Sequence, residues 1–223
     1  MLALSTPSLP MSRVLKVDLF TDVVCPWCLI GSVRLDKAIA ALPPDVTVDV
    51  ENHPFYLDPT TPPEGYDVGE MLRARYGRDP KLIWARAEGE AKKSGIDLDL
   101  SRQPRTFPTQ KAHTLVRLAR PKGTQHALAN AIAAAYFLDH LQVNDEDVLA
   151  EIASRHGFTR AEALAGINDP RELELSHGLA LAAARQGIQG VPFFVFDQRF
   201  AMSGAQPQEV FALAFDKALK ARG

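Results

Sequence analysis

From residue 14 the chain reads strand, helix, strand within about forty residues, and its only two cysteines stand at the first junction. "VLKVDLFTD" alternates Leu15, Val17 and Leu19 with Lys16 and Asp18, the period of a strand with one better-buried face. "LIGSVRLDKAIAAL" then carries Ile30, Val33, Leu35, Ile39 and Leu42 at helical spacing, up to the breaker Pro43-Pro44. "VTVDVEN" returns to alternation, with Val46, Val48 and Val50 opposite Thr47, Asp49 and Glu51. Two strands joined through a helix form a βαβ unit. At its first turn stands Cys25-Pro26-Trp27-Cys28. Two cysteines scattered at random in such a chain fall three apart in roughly one case in a hundred, so the spacing needs a chemical reason.

A structural zinc site draws four ligands from cysteine and histidine. Here there is one cysteine pair, and His53, His113, His126, His140, His156 and His177 show no H-x3-5-H pairing to complete it. A structural disulfide would close a loop of a few residues and restrict the unfolded chain very little. A redox pair has a physical reason at each position. Residues three apart on a helix bring their Cα atoms to about 5–6 Å, within disulfide range. Pro26 suits the first helical position, where no amide proton is missed. Cys25 then lies at the positive end of the helix dipole, which favours thiolate over thiol. Cys28, one turn deeper, is placed to resolve a mixed disulfide formed by Cys25.

After the proline-rich connector "HPFYLDPTTPPEG", only helices are expected from about Asp67 to Gly187. Asp67 with Glu70, Asp79 before Pro80, Thr159 with Glu162, and Asp169 before Pro170 read as helix starts. Gly77, Gly95, Gly157 and Gly187 read as stops. "TQHALANAIAAAYFLDHL" is the most apolar helix and the expected interior of the block. Strand character returns only at "GVPFFVFD" and "RFAMSG", with a turn at Asp197-Gln198, and "QPQEVFALAFDKALKA" closes as an amphipathic helix. A helical block with no strands of its own reads as an insertion between two halves of one sheet. The expected division is a disordered tail over 1–13, a first half over 14–65, the insertion over 66–187 and a second half over 188–223. Pro192 cannot donate to a ladder, so it marks a strand end or edge. A cis Val191–Pro192 bond there would turn the preceding backbone toward the cysteines.

Twenty-five basic residues against 27 acidic ones, a net charge of -2, give no general grip on nucleic acid or on an anionic membrane. No run approaches the roughly 18 apolar residues of a membrane helix. "MLALSTPSLP" lacks a basic start and is broken by Pro7 and Pro10, a poor secretory signal, and Met11 offers a second start. The expected compartment is the cytoplasm, where a close cysteine pair is more often catalytic than structural.

A C-x-x-C at a strand-to-helix junction, followed far along by G-V-P, a hairpin and a terminal helix, resembles the thioredoxin superfamily. The helical insertion resembles the DsbA family. "DVVCPWCLIGSVRLDKA", "HPFYLDPTTPPEGYDVGEMLRARYG", "KAHTLVRLA", "VLAEIASRHG" and "GIQGVPFFVFDQRFAMSGAQP" together are similar to its FrnE-like branch, which is grouped with the 2-hydroxychromene-2-carboxylate isomerases. The resemblance implies an α/β, thioredoxin-like fold with a large all-helical insertion. It implies Cys25 as nucleophile, Cys28 as resolving thiol, Pro26 and Trp27 as the dipeptide that tunes the potential, Pro192 as a cis-proline, and Val191 as the residue whose backbone pairs with substrate. His113 lies in the family-like "AHTL" segment as a candidate pocket residue, although a histidine satisfied by helix–helix contacts is the better expectation.

The activity implied is thiol–disulfide exchange on a disulfide-containing protein or a small thiol, with glutathione as a redox partner, no tightly bound cofactor and no metal. The alternative is a glutathione-dependent isomerase or related enzyme acting on a small aromatic or polyketide-like molecule. In that branch the first motif position is usually serine, whereas this chain keeps both thiols. The direction of exchange stays open. A couple near ~-120 mV facing a glutathione poise near ~-240 mV would rest reduced by about four decades, and so could not act as a net oxidase there.

Overall fold

A computed structural model describes residues 13–221 and runs, in chain order, β1 (Arg13–Thr21), α1 (Pro26–Ala40), β2 (Val46–Pro54), β3 (Tyr66–Asp67), α2 (Val68–Tyr76), α3 (Pro80–Lys93), β4 (Arg105–Thr106), α4 (Gln110–Leu118), α5 (Gln125–Phe137), α6 (Glu146–Ser154), α7 (Arg160–Asn168), α8 (Pro170–Arg185), β5 (Phe193–Phe196), β6 (Phe200–Ser203) and α9 (Gln208–Lys220). The main sheet has the order β2-β1-β5-β6. β1 and β2 are parallel from Arg13↔Val46 to Thr21↔Pro54, and β5 and β6 add antiparallel. The sheet is completed only by strands some 140 residues apart in sequence, with the helical block between them. Arg13, assigned above to the tail, opens β1 instead, where Asp45 takes its guanidinium at 2.8 Å. The rest of that segment lies outside the described residues.

The period-two pattern does in space what it suggests on paper. Leu15, Val17 and Leu19 point to one face and pack with Leu35, Phe194, Phe196, Phe211 and Phe215 between the sheet, α1 and α9. The β5–β6 turn uses Asp197 and Gln198 at φ 50° and 56°, the left-handed pair a tight hairpin needs. Asp197 also exchanges bonds with the backbone of Lys16, at 2.9 and 2.8 Å, which carries the pairing one step past the strand.

Helix starts follow their caps. Asp67 accepts from the Glu70 N–H at 2.8 Å, Asp79 from Lys81 at 3.0 Å and Asp169 from Arg171 at 2.8 Å, while Thr159 and Glu162 form a reciprocal capping box. Gly77 ends α2 in the left-handed region at φ 61°. The expectation of helices alone between 67 and 187 is corrected by β3 and β4, which pair Tyr66 with Thr106 and Asp67 with Arg105. Two residues per strand are too few to show alternation. This pairing exists because α2 and α3 return the chain to its starting point.

The block does not have a core to itself. Leu115, Leu128, Ile132, Leu149 and Ile167 share one continuous apolar cluster with Val23, Leu29 and Ile30 from the βαβ unit. A buried polar knot supplements it. Arg34 of α1, 6% exposed, donates to Ser94 Oγ at 2.8 Å, the Ala205 carbonyl at 2.7 Å and Glu90 Oε2 at 2.7 Å. Three distant segments thus meet on one guanidinium.

Arg34, and then Lys93, hold the Glu90 carboxyl down to about 2, below its usual 4.5. The folded value is the lower one. The stabilisation is therefore present above pH ~4.5 and lost as pH falls toward ~2. Glu90→Gln is expected to be less stable than the parent at neutral pH, with the gap closing across that window in denaturant titrations. A gap independent of pH would contradict the pairing.

Candidate active site

Thr21 ends β1, and the chain turns at once into α1 through residues 22–25, with the Cys25 N–H donating to the Asp22 carbonyl at 3.1 Å. Cys25 is the helix N-cap, in extended conformation, and Pro26 is the first helical residue. The carbonyl of Cys25 accepts from the N–H groups of Cys28 and Leu29 at 3.0 and 3.3 Å. No acidic residue occupies the first turn, so Cys25 has the positive end of the helix to itself. Both cysteines are free thiols, 4% and 3% exposed.

On the other side of the sulfur, the Val191–Pro192 peptide is cis, and Cys25 Sγ lies 3.8 Å from the Val191 carbonyl oxygen. The Pro192 carbonyl is tied to the Gly204 N–H at 2.8 Å. The close approach of this segment to α1 depends on Gly31, a residue the sequence reading passed over. A Cβ there would lie 2.9 Å from Pro192 Cγ and 3.2 Å from Phe194 Cζ. Gly31→Ala is therefore expected to cost about 1–3 kcal/mol, as overpacking does, and to lower disulfide turnover by pushing Pro192 from the sulfur. A chemical denaturation curve and a turnover assay on the same preparation check both. An unchanged pair of values would show that the gap can relax freely.

Cys28 is held as a thiol. Burial, and then the hydrogen bond and charge of Cys25, push its pKa well above the ordinary cysteine value. Beneath it is a polar cluster built from three elements. Asp22, 2% exposed, accepts from the Leu57 N–H at 2.8 Å and lies 3.2 Å from His113 Nε2. His113 is 3% exposed and satisfied inside the protein, as expected, but not by a neighbouring helix. Its partner is an acid on the β1–α1 loop, which its position on α4 brings within reach. The Tyr56 ring lies 5.6 Å from the His113 ring and 5.9 Å from that of His177, and burial together with the Asp22 charge pushes its phenol upward. A cavity of about 10 Å³, the size of one water, opens beside Cys28 against Asp22, Ser32, Asn52 and Asn130. Asp22 was missed because "FTDVVC" reads as the end of a strand. An acid three residues before the first cysteine is the signal that could have found it.

Trp27 is partly buried and packs on the shared core, with the guanidinium of Arg86 over its ring. Asp18, Glu51 and His53 are the one group of three potential metal ligands among the described residues, within 4.8 Å of one another. Lys16 bridges both carboxylates at 3.2 and 2.8 Å, and His53 Nε2 is 2.8 Å from Asp18, so the group reads as an ion-pair network on the sheet.

Comparison with known proteins converges on the same architecture. Residues 16–216 match the DSBA-like thioredoxin domain. A crystal structure of a probable DsbA oxidoreductase from Streptomyces coelicolor superposes with a TM-score of 0.84 at 33% identity, over 94% of this chain and 92% of that one. More distant structures share the fold. One is a 2-hydroxychromene-2-carboxylate isomerase (TM-score 0.69, 16% identity, 93% of this chain and 96% of that one). Another is the cytosolic disulfide reductase DsbM from Pseudomonas aeruginosa, solved with GSH (TM-score 0.64, 19% identity, 92% and 99%). With a domain match spanning nearly the whole of a strand–helix–strand unit, its helical block and its closing hairpin, the chain belongs to the DsbA-like thioredoxin family.

Proposed function

We propose that the protein is a thiol–disulfide oxidoreductase in which Cys25 attacks and Cys28 resolves. The observation that carries this reading is the placement of Cys25 Sγ at the free N-terminus of α1 and 3.8 Å from the carbonyl of Val191. Negative charge on that sulfur is favoured by the helix end. An extended substrate lying along residue 191 would bring its own sulfur to the same place.

In the reductive direction the Cys25 thiolate attacks one sulfur of the substrate disulfide, and the other substrate sulfur leaves as a thiolate that takes up a proton. Cys28 then attacks Cys25, its proton passing to Asp22 beside it, and the first substrate sulfur leaves. The substrate has gained two electrons, and Cys25–Cys28 is now a disulfide. Holding Cys28 protonated until this moment keeps the two thiols from competing. Two glutathione molecules return the couple to its dithiol form and leave as glutathione disulfide. The name and bound GSH of the distant DsbM structure support this direction, which suits a reducing, cytoplasmic compartment.

Cys28→Ser tests the assignment. With an excess of glutathione disulfide, the variant is expected to accumulate a mixed disulfide on Cys25, seen by intact mass, and to stop there, while the parent proceeds to the intramolecular disulfide. The isomerase reading, suggested by fold likeness at 16% identity, requires the opposite: conversion of a small aromatic substrate that survives the loss of Cys28.

A further inference from the structure

The helical block brings to the rim of the cysteine motif one cation that no acid among the described residues neutralises. Arg86, exposed on α3, has its guanidinium carbon 5.5 Å from the centre of the Trp27 ring. Two acids of its own helix are committed elsewhere. Glu90 is held by Arg34 and Lys93, and Glu88 accepts the Leu100 N–H at 2.9 Å. Among the described residues, Arg86 makes no ion pair and no side-chain hydrogen bond. The other cation–ring contacts, Arg75 on Tyr76, Lys122 on Phe158 and Lys217 on Phe200, involve no residue of the C-P-W-C motif. Contact with an aromatic face limits the wandering of a long side chain while leaving outward-facing N–H donors open. Trp27 is one of the two residues between the cysteines in sequence, so Arg86 rests against a residue of the motif itself.

We propose that Arg86 binds a carboxylate of the thiol that exchanges with Cys25, and that the preferred small thiol is an anionic one of the glutathione type. This rests on the thiol-exchange reading above. The protein as a whole carries a net charge of -2 and offers an anionic thiolate no general attraction, so a local cation has to supply it. A guanidinium suits the task because its fork of donors matches the two oxygens of a carboxylate. The step it serves is balanced. One glutathione thiolate attacks Cys25 of the Cys25–Cys28 disulfide and Cys28 leaves, taking a proton. A second glutathione thiolate then attacks the glutathione sulfur of the mixed disulfide, and Cys25 leaves as thiolate. Two thiols are oxidised to glutathione disulfide while the protein disulfide is reduced.

The probe is S-methylglutathione, which cannot exchange, so binding is read apart from turnover. Arg86→Met is expected to weaken its binding to the reduced protein about 5- to 10-fold, an exposed charge-assisted contact, with Arg86→Lys recovering part of the loss and Arg86→Glu losing more. The diethyl ester of the same compound should bind parent and Arg86→Met alike, and the difference for the free acid should shrink at high salt. In kinetics, the ratio of the glutathione rate to the dithiothreitol rate should fall by the same factor. Equal losses for acid and ester, or no loss for either, would overturn the proposal. Dependence on Arg86 for a cysteine peptide with acidic flanks, but not for S-methylglutathione, would overturn the assignment to a small thiol and point to an acidic protein substrate. Arg86-dependent binding without any glutathione turnover would leave the carboxylate site standing and defeat the thiol-exchange reading instead.

Discussion

Replacing Cys25 by serine should lower disulfide turnover by more than about 10³-fold, with the fold kept. The size of the effect follows from the environment of the second sulfur as much as the first. A serine hydroxyl does not attack disulfides at neutral pH, and Cys28 cannot stand in. Cys28 is 3% exposed, lies a turn inside α1, and its thiol is pushed upward by burial, so little thiolate is available there. The measurement is the rate at which the protein, recycled by dithiothreitol, reduces a test protein disulfide, with circular dichroism on the same sample. A Cys25→Ser protein as fast as the parent would remove the chemical basis of the proposed function.

The second large effect is structural. Arg34→Met should destabilise the protein by about 3 kcal/mol, because truncating a buried guanidinium strands the partners it leaves behind. Those partners are Ser94 and Glu90 at the end of α3 and the Ala205 and Gln206 carbonyls, two segments otherwise far apart in sequence. For a chain of this length that corresponds to a drop in Tm of roughly 6–12 °C. The loss should be uneven. α3 carries Arg86 against Trp27, and only that helix and the loop at 205–206 are tied through Arg34, so amide exchange should rise over 80–94 before it rises in the main sheet. A Tm within a degree of the parent would show that Lys37, which also reaches the Ser94 carbonyl at 2.7 Å, holds the junction unaided.

Some of this was legible before any coordinates, and the reasons differ from place to place. The βαβ unit could be read because alternation and helical spacing are short-range patterns, expressed by Leu15, Val17 and Leu19 in sequence and in burial alike. Helix starts could be read because a cap is a bond between residues three apart or fewer, as at Thr159 and Glu162. The β3–β4 pair could not, since neither strand is long enough to leave a pattern. His113 was noticed and is buried as expected, but its partner Asp22 could not be named, because it lies 91 positions earlier and no local rule links them.

Cys25, Pro26 and Cys28 owe their arrangement to the local chain: a strand that stops, a proline that opens a helix, and a second thiol one turn on. What surrounds them is a product of folding. Val191 reaches the sulfur across 166 positions, Gly31 makes room for Pro192, Asp22 meets His113, and Arg86 comes to rest over Trp27. The division has a physical cause. Backbone preferences and capping bonds are decided within a few residues, whereas these contacts form only when burial of the shared apolar core brings the helical block down onto α1.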